Sequence, residues 1–434
     1  MGEGPRRPPP LAGSRRAPAA RPTGQGWVGQ RFEVTVGPVA HGGHCVARHE
    51  GRVVFVRHTL PGERVVVEVT EDRHAGFCRA DAVEVLEAAP DRVERPCPYS
   101  GPGRCGGCDW QHVSHSGQLA LKAAVVREQL SRLAGLDLPV TVEALPGGPL
   151  RWRSRARFAV DRAGEPGLRR HRSHDVVQLD DCPITVEPAA QAVLAQSWPG
   201  SGAVDVAIDS AGVLTTTRLD RRGVAQQTRV LRPGADVPEE PAGRAQRSAG
   251  GRDWEVEGTG FWQVHPAAAD ALVGAVAGFA GVRAGETVLD LYAGAGLFGG
   301  ALAPGVGAEG RVVCVESDEA ACAAADANLA DLPQAEVWQG DVDAPGLTEL
   351  LEDLGRPDVV VLDPPRAGAG TDVSRVIAGA SPRAVVYVAC DPASLARDVA
   401  AFAGAGYRLQ TLRAFDCFPM TAHVECVALL VPDA

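Results

Sequence analysis

The chain has 434 residues, 45% apolar and 22% charged, which is long enough for two or three domains with buried cores and excludes a fibrous or wholly disordered protein. Its formal charge of −11 argues against polyanion binding over the whole surface, but the charge is unevenly divided. Residues 256–434 hold 9 Arg against 24 Asp plus Glu, a net of −15, so residues 1–255 carry +4 and any polyanionic partner should meet the first half. Of the 43 basic residues only Lys122 is a lysine, a bias that follows GC-rich coding. The eleven cysteines are odd in number and scattered, and the first thirty residues contain no apolar segment of the secretory type. A cytoplasmic chain is expected, in which clustered cysteines are metal ligands or catalysts rather than disulfides. The longest weakly polar run, residues 267–282, is interrupted by Asp270 and glycines and is too short to span a bilayer, so no membrane segment is expected.

Residues 1–25 are low in complexity and basic, with Arg6, Arg7, Arg15, Arg16 and Arg21, and read as a disordered arm. Residues 26–90 change to short alternating segments such as 31–36, 52–56 and 64–69, punctuated by glycines and by Pro61-Gly62. That pattern predicts a small OB-like β-barrel of about five strands, which either binds nucleic acid on one face or has no ligand of its own.

Residues 91–255 form a cysteine-bearing middle region with one long amphipathic stretch, residues 118–134. Cys97, Cys105 and Cys108 follow a C-x7-C-x2-C spacing, and Cys182 supplies a remote fourth thiol. Zinc suits such a set, and so does a [4Fe-4S] cluster. Between Cys108 and Cys182 the segment 151–175 has eight arginines against Asp161, Glu165 and Asp175. On a strand, Arg151, Arg153, Arg155 and Arg157 would project from one face, either towards successive phosphates of a polyanion or simply into solvent.

From about residue 256 to 434 strand and helix signals alternate, the pattern of a parallel α/β domain. Residues 287–298 read as a buried strand, a turn containing Gly294 and Gly296, and the start of a helix, the arrangement by which doubly wound sheets bind ligands at strand ends. The next strand ends in Glu316, placed to accept hydrogen bonds from ribose hydroxyls, and the third leads to Asp341, where an adenine edge would lie. The glycines alone also fit a dinucleotide site. Asp363-Pro-Pro-Arg366 after the fourth strand resembles instead the motif of class I methyltransferases, which implies S-adenosyl-L-methionine. Strand five delivers Cys390 to the same edge as Asp363, directly before Asp391-Pro392. A free cysteine is usually a small buried hydrophobe, but this one lies where the cleft should be.

Five segments together resemble the RNA 5-methyluridine methyltransferases: residues 260–265 (GFWQVH), 289–296 (LDLYAGAG), 363–366 (DPPR), 387–392 (YVACDP) with Arg397-Asp398, and 418–425 (FPMTAHVE). The barrel resembles the TRAM module, and residues 105–112 (CGGCDWQH) resemble the iron-sulfur branch of that family. The resemblance implies a Rossmann-like class I methyltransferase domain, a TRAM barrel and a [4Fe-4S] cluster on Cys97, Cys105, Cys108 and Cys182. It implies Cys390 as nucleophile, Glu425 as general base, and Gln263, Tyr292, Glu316 and Asp363 as pocket residues. RNA is the implied partner, ribosomal RNA ahead of transfer RNA, and a monomer is expected. Phe261 and Trp262 are candidates for stacking on a flipped base or, equally, for the core. Three positions depart from the family pattern: His265 stands where asparagine is common, Leu297 where a polar residue is common, and Asp391 in place of asparagine. Amino methylation of a purine would need no nucleophile, and a cytosine C5 enzyme presents its cysteine in a different loop. A catalytically silent RNA-binding iron-sulfur protein would not need the Cys390 and Glu425 pair.

Overall fold

A computed structural model describes residues 24–233, 244–258 and 260–433. The expected arm lies, apart from residues 24 and 25, outside the described residues. Strands β1 (Arg31–Thr35), β2 (Cys45–His49), β3 (Arg52–Arg57), β4 (Arg64–Glu71) and β5 (Phe77–Glu87) form one sheet in the order β1-β4-β5-β3-β2. The stretch after β1 turns back onto β2, where Gly37 N donates to Val46 O at 2.7 Å and curls the sheet into a barrel. A Cβ on Gly37 would lie 2.8 Å from that oxygen, so the closure depends on a residue with no side chain. Alternation along β3 and β4 buries Val54, Val56, Val65, Val67 and Val69 inside.

Helix α1 (His115–Gln129) starts three residues before the predicted stretch, because the Ser114 hydroxyl caps it by accepting from Gly117 N at 3.1 Å. It ends in a π-helical turn over Leu130–Ala134, closed by Gly135 in the left-handed conformation. Together with the short strand β6 (Val142–Ala144), α1 packs on the C-terminal sheet rather than within the middle region.

The middle region proper is an antiparallel sheet, β12-β11-β10-β7-β8-β9, of strands β7 (Arg155–Val160), β8 (Pro166–Arg169), β9 (Val176–Gln178), β10 (Ala203–Ile208), β11 (Leu214–Leu219) and β12 (Ala225–Leu231). Helix α2 (Glu187–Leu194) covers one face, packing Ala189 and Val193 against Trp152, Phe158 and Val206. A hairpin, β13 (Ala245–Ala249) and β14 (Arg252–Val256), leads into α3 (Ala268–Ala280).

The C-terminal region then alternates β15 (Thr287–Leu291), α4 (Leu297–Val306), β16 (Arg311–Glu316), α5 (Glu319–Leu329), β17 (Ala335–Gln339), α6 (Ala344–Leu354), β18 (Val359–Leu362), α7 (Thr371–Gly379), β19 (Ala384–Ala389) and α8 (Pro392–Ala403). It closes with β20 (Tyr407–Asp416) and β21 (Glu425–Pro432). The sheet order is β17-β16-β15-β18-β19-β21-β20-β6, with β21 antiparallel to both neighbours. This is the Rossmann-like class I methyltransferase arrangement, extended by β6. Its order reverses between β15 and β18, so the ligand crevice lies at the carboxyl ends of those strands. Among the described residues, no helix is long and apolar enough to cross a membrane.

Candidate active site

After β15 the chain passes through Tyr292, Gly294 and Gly296 at φ of 60°, 54° and 87°, and then enters α4. Tyr292 holds this unusual conformation while its hydroxyl donates to Val342 O at 3.1 Å. Glu316 is pinned by three backbone amides: Gly294 N at 2.9 Å, Ser317 N at 2.8 Å and Asp318 N at 2.9 Å. Gly340 N donates to Glu316 O at 2.9 Å and brings the exposed Asp341 to the same edge. Asp290, which sequence reading passed over, is wholly buried, and its Oδ2 accepts from Gly299 N at 2.7 Å. Its Oδ1 has no hydrogen-bond partner among the described residues, and burial, with the Asp363 and Glu316 charges adding to it, pushes the carboxyl up to about 7. Burial likewise pushes Asp363 up to about 7. Gln263 lies half-buried on the loop before α3, beside Val264, whose carbonyl accepts from Ser154 N at 2.8 Å and Ser154 Oγ at 2.9 Å. The pinned ribose-type acceptor, the orphaned Asp290 oxygen and the crowding of carboxylates fit a cationic nucleoside.

Cys390 follows the last residue of β19, and Ala389 pairs with Cys426 on β21. Continuing that register by one residue sets Cys390 opposite Glu425, so the two predicted catalytic groups are cross-strand neighbours at the carboxyl edge. Glu425 is buried, and burial, reinforced by Asp363 and opposed by Arg366, holds its carboxyl well above the usual range. Burial, with Glu425 and Asp363 adding to it, pushes the Cys390 thiol up to about 11. Burial thus favours the protonated form of both groups. A cation held by these carboxylates acts on both in the opposite sense. The Asp363-Pro-Pro-Arg366 loop is braced from behind by Asp398, which accepts from Tyr387 Oη at 2.6 Å, Ala369 N at 2.9 Å and Gly370 N at 3.2 Å.

The three departures have structural consequences. Asp391 caps α8, accepting from Ala393 N at 3.0 Å and Ser394 N at 2.8 Å, and also pairs at 2.7 Å with His41 from the barrel. His265 is buried with its ring stacked on Trp152 at 5.9 Å, and Leu297 packs against the core as the first residue of α4. Trp262 is also core, packed on Trp254, whereas Phe261 is 74% exposed and free to meet a base.

Cys390 opens into a cleft of about 1010 Å³ walled by all three regions, including His41 from the barrel, Arg153 and Arg157 from the middle sheet, and Phe418 from the loop before β21. The expected row of four arginines does not form, because β7 begins only at Arg155 and Arg151 sits at a φ of 56°. Asp181 binds Arg151 at 2.6 Å, Asp205 binds Arg157 at 2.6 Å, and the Arg153 guanidinium donates to Arg155 O at 3.0 Å. The cleft is instead lined by exposed Arg169, Arg170, Arg221 and Arg222, whose side chains have no hydrogen-bond or ion-pair partner among the described residues. Arg221 and Arg222 form the tip of the β11–β12 hairpin, held by Asp220 Oδ1 accepting from Arg222 N at 2.8 Å and Val224 N at 2.9 Å. Only the turn sequence Asp-Arg-Arg-Gly at 220–223 hinted at it.

The four predicted ligand cysteines line one small pocket with Leu168, Leu179 and Ile184. Three of the sulfurs accept hydrogen bonds: Cys105 from Gly107 N at 3.4 Å, Cys108 from Gln111 Nε2 at 3.3 Å, and Cys182 from Thr185 Oγ1 at 3.3 Å. Burial raises the Cys97, Cys105 and Cys108 thiols, and the neighbouring thiols add to it. Among the described residues, no group of three or more His, Cys, Asp or Glu is spaced to hold a metal ion.

Comparison with known proteins matches residues 27–83 to the TRAM domain and residues 346–432 to the tRNA (Uracil-5-)-methyltransferase family. An RNA methyltransferase of Streptomyces coelicolor is 46% identical, the alignment covering 94% of each chain. The 23S rRNA (uracil(1939)-C(5))-methyltransferase of Pseudomonas putida is 34% identical, with 93% of this chain and 94% of that protein covered. The crystal structure of Pyrococcus abyssi tRNA (uracil-54, C5)-methyltransferase with S-adenosyl-L-homocysteine superposes with a TM-score of 0.68 at 22% identity, covering 92% of this chain and all of that one.

Proposed function

Because the chain belongs to the RNA (uracil-5-)methyltransferases, we propose that it methylates carbon 5 of a specific uridine in ribosomal RNA through a transient bond from Cys390 to carbon 6. The observation that carries this reading is the placement of Cys390 opposite Glu425 at the strand edge beside Asp363. Uracil carbon 5 is too weak a nucleophile to be methylated unaided. The Cys390 thiolate adds to carbon 6 and turns carbon 5 into an enolate carbon that can take the methyl group. Glu425 then removes the carbon 5 proton, the Cys390–carbon 6 bond breaks, and the ring regains its conjugation. S-adenosyl-L-methionine supplies the electrophilic methyl group when bound. Glu316 would hold its ribose hydroxyls, Asp341 its adenine side, and Asp363, Gln263 and Tyr292 the methionine end, along the backbone opened by Gly294 and Gly296. Arg366 faces both catalytic groups and favours their charged forms.

Phosphates of the RNA strand entering the cleft meet Arg169, Arg170, Arg221 and Arg222 in this reading, and Phe261 offers a face for a displaced base. Cys97, Cys105, Cys108 and Cys182 would hold a [4Fe-4S] cluster, which would clip the ends of the middle region together. The choice of ribosomal RNA rests on the Pseudomonas relative, whereas the name of the matching family favours transfer RNA. Mapping 5-methyluridine in ribosomal and transfer RNA from cells with and without the gene tests the reading. Loss of one 5-methyluridine from large-subunit RNA is expected. Loss from transfer RNA alone would move the substrate, and loss from neither would refute the activity.

A further inference from the structure

Lys122 is the only lysine among 43 basic residues. In a chain whose coding turns every other cation into arginine, this one stands where an ammonium differs most from a guanidinium. Its side chain is wholly buried, as is that of Asp416, which accepts a short hydrogen bond from Nζ. Nζ also donates to Phe418 O at 3.0 Å, and His115 Nε2 lies 3.1 Å from the other Asp416 oxygen. A compact ammonium with three rotatable donors can reach two oxygens in so closed a space, whereas a planar five-donor guanidinium cannot.

The groups it binds open the loop that carries the general base. Asp416 is the last residue of β20, Glu425 is the first of β21, and the intervening loop lines the cleft with Phe418, Thr421 and His423. Further ties from the same side hold that loop. Gln118, one helical turn before Lys122 on α1, accepts from Met420 N at 2.7 Å. Asp109 N and Trp110 N each donate to Met420 O at 3.0 Å, which keeps Met420 at a φ of 66°. Lys122 joins Asp416 at the end of β20 to the Phe418 carbonyl two residues on, so its ammonium holds the first turn of the loop closed.

We infer that Lys122 is a positioning residue for the base, fixing the 416–425 loop so that Glu425 reaches the carbon 5 proton. This inference rests on the reading of Glu425 given above. The test is Lys122→Arg in the full-length protein, followed by single-turnover methyl transfer and release of RNA on a denaturing gel. Expected are unchanged S-adenosyl-L-methionine binding, methyl transfer close to that of the wild type, and at least about tenfold slower release with a retained protein–RNA band, a weaker version of Glu425→Gln. Release at the wild-type rate, or equal slowing of transfer and release, would overturn it. If Lys122→Arg fails to fold, Lys122→Met with Asp416→Asn removes the buried pair together and is read the same way. If Glu425→Gln itself gives no retained band, the base assignment fails. Lys122 is then judged on turnover: a lower kcat at unchanged KM for RNA supports positioning, and a raised KM at unchanged kcat refutes it.

Discussion

The contrast between paired and unpaired arginines gives a quantitative expectation. Arg221 and Arg222 project from a hairpin tip into the cleft without a partner among the described residues, whereas Arg151 is already bound to Asp181 at 2.6 Å. For a single-stranded partner, each neutralised phosphate contributes about 0.7 to the slope of log affinity against log salt. Replacing Arg221 and Arg222 with Ala should therefore lower the slope by about 1.4, and a fourfold rise in salt should weaken the double variant about sevenfold less than the wild type. Arg151→Ala should leave the slope unchanged, because its guanidinium stays with Asp181. The assay is RNA binding by fluorescence anisotropy at several salt concentrations, with S-adenosyl-L-methionine binding as the control for folding. A slope that falls with Arg151→Ala and not with the hairpin pair would show that the ion pairs open on RNA and that the unpaired arginines do not touch it.

Cys390→Ala should abolish methyl transfer, whereas Glu425→Gln should transfer the methyl group and leave RNA attached, seen as a slow protein–RNA band on a denaturing gel that Cys390→Ala lacks. Wild type with 5-fluorouridine RNA should give the same band, and normal turnover by Glu425→Gln would assign the base elsewhere. The His41–Asp391 pair carries a pH signature. Its hydrogen bond to Asp391 raises His41 above the ordinary 6.5, with Glu128 adding to it and burial and Arg132 opposing. The pair therefore contributes fully below about 6.5, and its contribution is lost as pH rises through the raised value. Melting temperatures of wild type and His41→Ala should differ at pH 6 and converge at alkaline pH. A constant gap would refute the assignment. Anaerobically purified protein should contain about four iron and four sulfide per chain, and Cys182→Ser should lower both. Stoichiometric zinc without iron would refute the cluster.

The parts of the molecule that were legible in sequence are those written locally. Alternation over 31–87 and the strand-turn-helix at 287–298 are short-range patterns, and both appear where expected. Cys390 also stands at the strand edge shared with Asp363, because strand ends in a doubly wound sheet share one edge, whereas Glu425 was singled out only by the family resemblance. Much of what the sequence did not show depends on partners far away in the chain. Asp205, which neutralises Arg157, is 48 residues off, and Asp416, which holds Lys122, is 294. The three-residue strand β6 pairs with β20 some 270 residues later, as the Glu143–Arg413 contact marks, and no periodicity announces so short a strand. Asp290 was overlooked because an aspartate within an apolar strand gives no sign of which of its oxygens the fold will leave unbonded.

Helix α1 presents Leu121 and Val125 to the core of the barrel, and Ala123 and Val126, with Leu130 of the π-helical turn, to the core of the C-terminal sheet. One helix thus serves as a party wall between two buildings that look separable on a domain map. A chain cut at residue 91 would keep the wall but expose its barrel side to water, and an isolated barrel would lose the residues that complete its core. Exchange of this barrel for another, whether by an engineer or by recombination, would have to carry the helix and match its far face as well. In this enzyme the accessory module is inherited with the catalytic one, not attached to it.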